Sequence, residues 1–128
     1  MNSRIVAIAA FFFSFFAVAG AAQAAPAGPT GLVLSTHASE VDDYRVKVTW
    51  LDCSGRDEHP RSAAACAQLA AVSGDLAALS GKDRPCPMIY APVEARMVGF
   101  WRGEWVSQTR TFPNSCVLAA HTGAVFDF

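Results

Sequence analysis

The chain has little that advertises catalysis. Its 128 residues hold three histidines, His37, His59 and His121, and none falls in a catalytic motif. There is no Gly-x-Ser-x-Gly elbow, no His-Glu-x-x-His and no Gly-rich phosphate loop, the patterns that place a hydrolase nucleophile, a catalytic zinc or a nucleotide. No Cys-x-x-Cys or His-x-x-x-His spacing is present, so the usual frame for structural zinc is missing. The acidic run at 40–43 lacks a calcium-ligand pattern and reads as a solvated turn. Aromatic and basic residues are not interleaved as on a base-stacking surface. Scattered residues can build a site on any fold, but no set here nominates one. The sequence therefore implies neither an enzyme nor a cofactor, metal or nucleic-acid partner. The histidines read as surface or hydrogen-bonded structural residues.

Long apolar runs are confined to the N-terminus. Arg4 precedes a stretch, 5–19, that is apolar apart from Ser14 and centred on five phenylalanines. Small residues follow, and Ala22-Gln23-Ala24 fits a small-x-small cleavage pattern. A spanning helix needs roughly 20 apolar residues, so residues 1–24 are expected to be a signal peptide, leaving a secreted mature chain at 25–128 with no membrane segment. Arg4 is the only basic residue of that leader, and the mature part carries 9 Lys+Arg against 11 Asp+Glu. A balance of about −2 favours neither nucleic acid nor an acidic membrane surface. About 104 residues make one domain with one core.

Four cysteines, Cys53, Cys66, Cys86 and Cys116, all lie in the mature part. An even count in an oxidising compartment implies two disulfides, and spacing alone leaves three connectivities open. Pairing in sequence order would close loops of 13 and 30 residues, each worth roughly 3 to 4 kcal/mol by chain entropy. That is a large share of a small domain's stability.

Alternation of apolar and polar residues predicts strands near 32–38, 44–52, 93–101, 104–112 and 125–128. In the second, Tyr44, Val46, Val48 and Trp50 share one face, and Arg45, Lys47 and Thr49 the other. Arg102-Gly103 suits a tight hairpin turn, flanked by Trp101 and Trp105. Strong helix formers over 63–72, with Cys66, Leu69 and Val72 three apart, predict the main helix. Residues 75–79 suit a short second helix, and 26–30 a mobile Pro/Gly-rich lead-in. The class is α+β: about five antiparallel strands with helices on one face.

One stretch stands apart from this regular pattern. Pro85-Cys86-Pro87-Met88-Ile89-Tyr90-Ala91-Pro92 packs three prolines and a cysteine around large apolar side chains. Proline fixes its own φ and drives the preceding residue into extended conformations. The segment should run stiff and extended without entering the middle of a sheet. On residue types alone it is either an irregular edge strand filling core or a protruding, peptide-like loop.

The wider pattern resembles a known family. His59-Pro60, Ala65-Cys66-Ala67-Gln68-Leu69-Ala70-Ala71-Val72 and Gly74-Asp75-Leu76 precede the segment Cys86-Pro87-Met88-Ile89-Tyr90. After it come Pro92-Val93, Gly99, Trp101, Gly103, Val106-Ser107, Arg110, Phe112, Asn114, Cys116, Ala120-His121 and Val125-Phe126. In this order these residues are similar to the secreted subtilisin inhibitors typified by the Streptomyces inhibitor. The resemblance implies disulfides Cys53–Cys66 and Cys86–Cys116, a reactive bond between Met88 and Ile89, and a homodimer through sheet surfaces. It implies subtilisin-like serine proteases as partners, gripping Pro85, Cys86, Pro87 and Tyr90 around that bond. Asn114, close to Cys116 in sequence, is a candidate support for the loop backbone. The chain departs from the family in a shorter loop after Cys53, in Pro85 and Ala91, and in Glu104-Trp105 after the hairpin turn. A disulfide-stapled binding module with a non-protease partner is the alternative.

Overall fold

The computed structural model of the chain describes residue 20 and residues 27–40 and 43–128. The expected leader and its cleavage point, and the tip of the acidic turn at 41–42, lie outside the described residues. Four strands form one antiparallel sheet: β1 (Gly31–Glu40), β2 (Asp43–Asp52), β3 (Val93–Trp101) and β4 (Glu104–Phe112), in the order β2-β1-β3-β4. Two α-helices accompany it, α1 (Ser62–Ala71) and α2 (Ser115–Thr122), with a 3-10 turn at Leu76–Ala78. The α+β class, the antiparallel sheet and both disulfides, Cys53–Cys66 and Cys86–Cys116, are as expected.

Side chains on a strand alternate between faces, and the registers here decide which face is buried. Leu32 and Leu34 of β1 pair with Leu51 and Thr49 on one side and with Gly99 and Met97 on the other. All six are buried. Ala65 and Leu69 of α1, Leu76, Leu79, Leu118 of α2, Val125 and Phe126 close the core over this face. Fully burying each such leucine contributes about 1.5–3 kcal/mol. On β2 the buried side is thus that of Thr49 and Leu51, while the more apolar side, Val46, Val48 and Trp50, is exposed.

The β3–β4 hairpin turns at Arg102-Gly103 with φ of 48° and 89°. Two consecutive positive φ values match the strand twist, and glycine adopts one of them without a Cβ clash. Gly28 donates to Arg102 O (3.1 Å) and Gly103 donates to Pro29 O (2.9 Å). These bonds hold the lead-in, expected to be mobile, against the turn. Trp101 is buried, with its ring over Gly74, where a Cβ would come within 2.5 Å of it. Trp105 is exposed and meets Phe100 edge to face.

One expectation is corrected and one element is added. Residues 123–126 form turns, and no strand follows Thr122. Ala124, Val125 and Phe126 are buried in succession, which a period-two element on one sheet face cannot do. His59, buried, fixes this turn: Arg61 N–H donates to its Nδ1 (3.0 Å), so Nε2–H donates to Val125 O (2.9 Å). Gln68 Oε1 accepts from Ala124 N–H, and Arg61 pairs with Asp127. The short turn of helix expected at 75–79 is present as the 3-10 turn Leu76–Ala78, and α2, which was not anticipated, runs from Ser115 through Cys116 to Thr122. Its signals were Asn114 as N-cap and Gly123 as stop, a standard pair masked by the apolar run between them.

Candidate functional site

Residues 80–92, between the 3-10 turn and β3, have no regular secondary structure, and they bring the Pro/Cys segment to the surface. Met88 is wholly exposed at 105% of its reference area, Tyr90 is 82% exposed and Ile89 59%. Pro85 and Pro87 are exposed, and Cys86 is partly covered. Of the two sequence readings, the core-filling edge strand is therefore ruled out. Large apolar side chains are normally drawn inward, so three adjacent ones in water call for a reason.

The loop is nevertheless fixed at its base. Val93 pairs with Phe112 at the end of the β3–β4 ladder. Ala91 N–H donates to Pro113 O (2.8 Å) and extends that ladder into the loop's outgoing leg. The incoming leg is tied by the Cys86–Cys116 disulfide to the first turn of α2, with Cα atoms 5.7 Å apart. The Arg84 guanidinium lies 3.8 Å from the Cys116 sulfur. Both legs thus stand on the corner where β4 passes into α2.

Asn114 sits inside that corner, buried at 6% exposure. Its Nδ2 donates to Pro87 O (3.2 Å) and to Ile89 O (2.9 Å), while its Oδ1 accepts from Val117 N–H (2.9 Å) as the N-cap of α2. The two amide protons and the carbonyl are all used. The two carbonyls it holds are those before and after Met88. Met88 itself, between them, stands fully exposed. The sequence placed Asn114 near the loop through Cys116; its pair of hydrogen bonds to the loop backbone came from the fold.

The arrangement offers shape rather than reactive groups. Among the described residues no cluster of three or more His, Cys, Asp or Glu is placed to hold a metal ion. A cleft of about 710 Å³ opens beside the incoming leg, lined in part by Arg61, Lys82 and Arg84, and it does not include Met88 or Asn114. Asp52 has a clearly displaced pKa, held below the usual carboxylate range by the Ser54 hydroxyl and backbone N–H. It lies at the end of β2, beside the Cys53–Cys66 bridge and not in the loop.

Residues 28–114, which take in the sheet, the loop and Asn114, match the family model described as subtilisin inhibitor-like. The chain belongs to the subtilisin inhibitor-like family. The subtilisin inhibitor of Streptomyces albogriseolus is 51% identical over 71 residues, covering 55% of this chain and 49% of that protein. A subtilase-type protease inhibitor of Streptomyces fradiae is 39% identical over 93 residues, covering 71% of this chain and 66% of that one. The chain thus spans about half to two thirds of these curated relatives. Streptomyces caespitosus sermetstatin, solved in complex with Bacillus licheniformis subtilisin, superposes with a TM-score of 0.64 at 31% identity, covering 79% of this chain and 100% of sermetstatin.

Proposed function

We propose that the protein is a secreted inhibitor of subtilisin-like serine proteases, working through the 85–90 loop with Met88–Ile89 as the reactive bond. The observation that carries this is the Asn114 bracket: an exposed Met88 whose neighbouring carbonyls are both hydrogen-bonded to one buried amide. Met88 enters the primary specificity pocket, and its carbonyl meets the catalytic serine. The backbone from Pro85 to Met88 pairs with the enzyme as an added strand. The Cys86–Cys116 bridge, Pro87 and Asn114 set this shape beforehand, so little conformational entropy is lost on binding. Interfaces of this kind bury roughly 1,600 Å² and can be very tight.

Resistance to cleavage has the same origin. If the bond opens, the new amine at Ile89 is still tied to β3 and to Asn114, against the acyl-enzyme. Effective molarities for a group so held reach about 10⁵ M or more, and resealing outruns water. Met88, long, unbranched and uncharged, suits a broad apolar pocket and not one built for Lys or Arg. The protein acts as an inhibitor and not as an enzyme. Its leader supports export, and no helix among the described residues is long and apolar enough to cross a membrane.

The outer face of the sheet supports a second part of the proposal, a homodimer. Val33, Val46, Val48, Trp50, Phe100 and Trp105 from all four strands are exposed there, in adjacent registers such as Val33 with Trp50 and Phe100 with Trp105. Contiguous apolar surface of this kind marks an interaction face, and a second copy is the occupant proposed.

Active-site titration of subtilisin with the oxidised mature protein tests the inhibitory loop, wild type beside Met88→Gly. The wild type gives a stoichiometric endpoint. Removing the Met88 side chain, worth about 2–3 kcal/mol on burial, weakens binding roughly 30- to 150-fold. Digestion of the wild type as an ordinary substrate would overturn the reading.

A further inference from the structure

We infer that Met88 is also a reversible oxidation site, at which conversion of the thioether to the sulfoxide switches the loop off while leaving the fold intact. This rests on the inhibitory reading of the loop and adds a form of control to it.

The inference comes from a contrast between the two methionines of the described chain. Met88 is 105% exposed, at the tip of the loop. Met97, on the core face of β3 opposite Leu34, is 0% exposed. An oxidant dissolved in water reaches the first sulfur freely and the second only when the sheet opens. There is also no competing thiol, because all four cysteines are in disulfides. Met88 is therefore the softest accessible nucleophile on the described surface.

The step needs a two-electron oxidant of the peroxide class. A sulfur lone pair attacks the terminal peroxide oxygen, the O–O bond breaks and an S–O bond forms. The sulfur is oxidised by two electrons, and hydrogen peroxide is reduced to water. Methionine sulfoxide reductases reverse this change, one enzyme for each sulfoxide epimer, whereas cysteine oxidised beyond the sulfenic stage is generally not recovered.

The consequence differs for fold and function. The Met88 side chain is bathed in water, so a polar oxygen on its sulfur disturbs no packing. Inside an apolar protease pocket the same oxygen loses its hydration and finds no donor, which is costly. The carbonyls of Pro87 and Ile89 stay on Asn114 in either state. The modified loop therefore keeps its shape and loses only the group it presents.

The test treats the wild-type protein with millimolar hydrogen peroxide, maps it by peptide mass, and titrates subtilisin before and after. The expected result is one added oxygen on the Met88 peptide, Met97 unmodified, an unchanged Tm, and inhibition weakened on the order of 10²-fold. Sulfoxide reductases restore the original titration, with unoxidised protein carried through the same treatment as control. Met97→Leu stays as sensitive to peroxide as wild type. Met88→Leu, whatever its own starting endpoint, does not shift on treatment. A Met88 sulfoxide that titrates subtilisin like the untreated protein overturns the switch alone, and so does an equal peroxide effect on Met88→Leu. If the untreated protein fails to titrate subtilisin, the inhibitory reading fails first and the switch falls with it.

Discussion

Two parts of this molecule expose apolar side chains to water, and they do so in opposite ways. The 85–90 loop is narrow and convex, and its backbone is held from below by a disulfide, a ladder hydrogen bond and the Asn114 amide. The outer face of the sheet is broad and shallow, with backbone groups spent on strand pairing and only side chains to offer. The first can present main-chain groups and one deep-reaching side chain to an enzyme cleft. The second can only lie against another flat surface. Exposed apolar area is not a single signal: whether the backbone beneath it is free or already paired decides the kind of partner it suits.

Cutting the tether should give the largest effect. In a Cys86→Ser/Cys116→Ser variant the incoming leg is released, and subtilisin should turn the inhibitor over as a substrate, read as cleavage at Met88–Ile89 on a mass time course. Loss of the 30-residue closure should also lower stability by about 3–4 kcal/mol in denaturant melts. If cleavage stays as slow as in the wild type, the disulfide is not what keeps the opened ends together.

Charging the sheet face should separate the two surfaces. Val48→Glu with Trp50→Lys replaces two exposed apolar side chains of the outer face with charges, and sedimentation should show the proposed dimer weakened at least about 10²-fold. The subtilisin endpoint per chain should not move, since neither residue lies near the loop. A dimer of unchanged strength would place the contact elsewhere.

Asn114 allows a finer cut, because its two functions use different atoms. Asn114→Ala loses the helix cap and both loop bonds, so the melting midpoint should fall by about 4–8 °C for each kcal/mol lost. Asn114→Asp keeps an acceptor for Val117 N–H but sets a carboxylate against the Pro87 and Ile89 carbonyls. The melt should therefore suffer less than in Asn114→Ala, while loop cleavage speeds up as much or more. Parallel losses of stability and resistance in both variants would mean that the cap alone matters.

The smallest effect is expected at the end of β2, away from the loop. The folded-state pKa of Asp52 is depressed by hydrogen bonds from Ser54, so its contribution is present above the ordinary Asp range and is lost as pH falls through the lowered value. Asp52→Asn should lower the melting midpoint slightly at neutral pH, and the gap should close in acid. A gap that widens as pH falls would reverse that sign.

How much of this was legible depended on how local the cause was. The β3–β4 hairpin was read from alternation and one glycine turn because both act within a few residues. The burial of β2 was not: Val46, Val48 and Trp50 are its more apolar side, yet the core took Thr49 and Leu51. Pairing with β1 fixed which side faces the helices. At 123–126 alternation suggested a strand, but the buried His59 imidazole and Gln68, both distant in sequence, captured the backbone as turns. α2 was hidden by its own apolar composition, although its Asn114 cap and Gly123 stop were in view.

By itself the sequence determined that residues 85–92 would stay out of helix and sheet, because proline geometry is built into the chain. It also determined that four cysteines would pair, and where the hairpin would turn. Only the tertiary structure decided that Met88 stands in water rather than in the core, and that the carbonyls on either side of it share one buried amide. That decision needed β4 to end at Phe112 and α2 to begin at Ser115, which brings Asn114 beneath a loop 25 residues earlier in the chain. Hydrogen bonds across such separations form only after the sheet has closed, so no local pattern of residues records them.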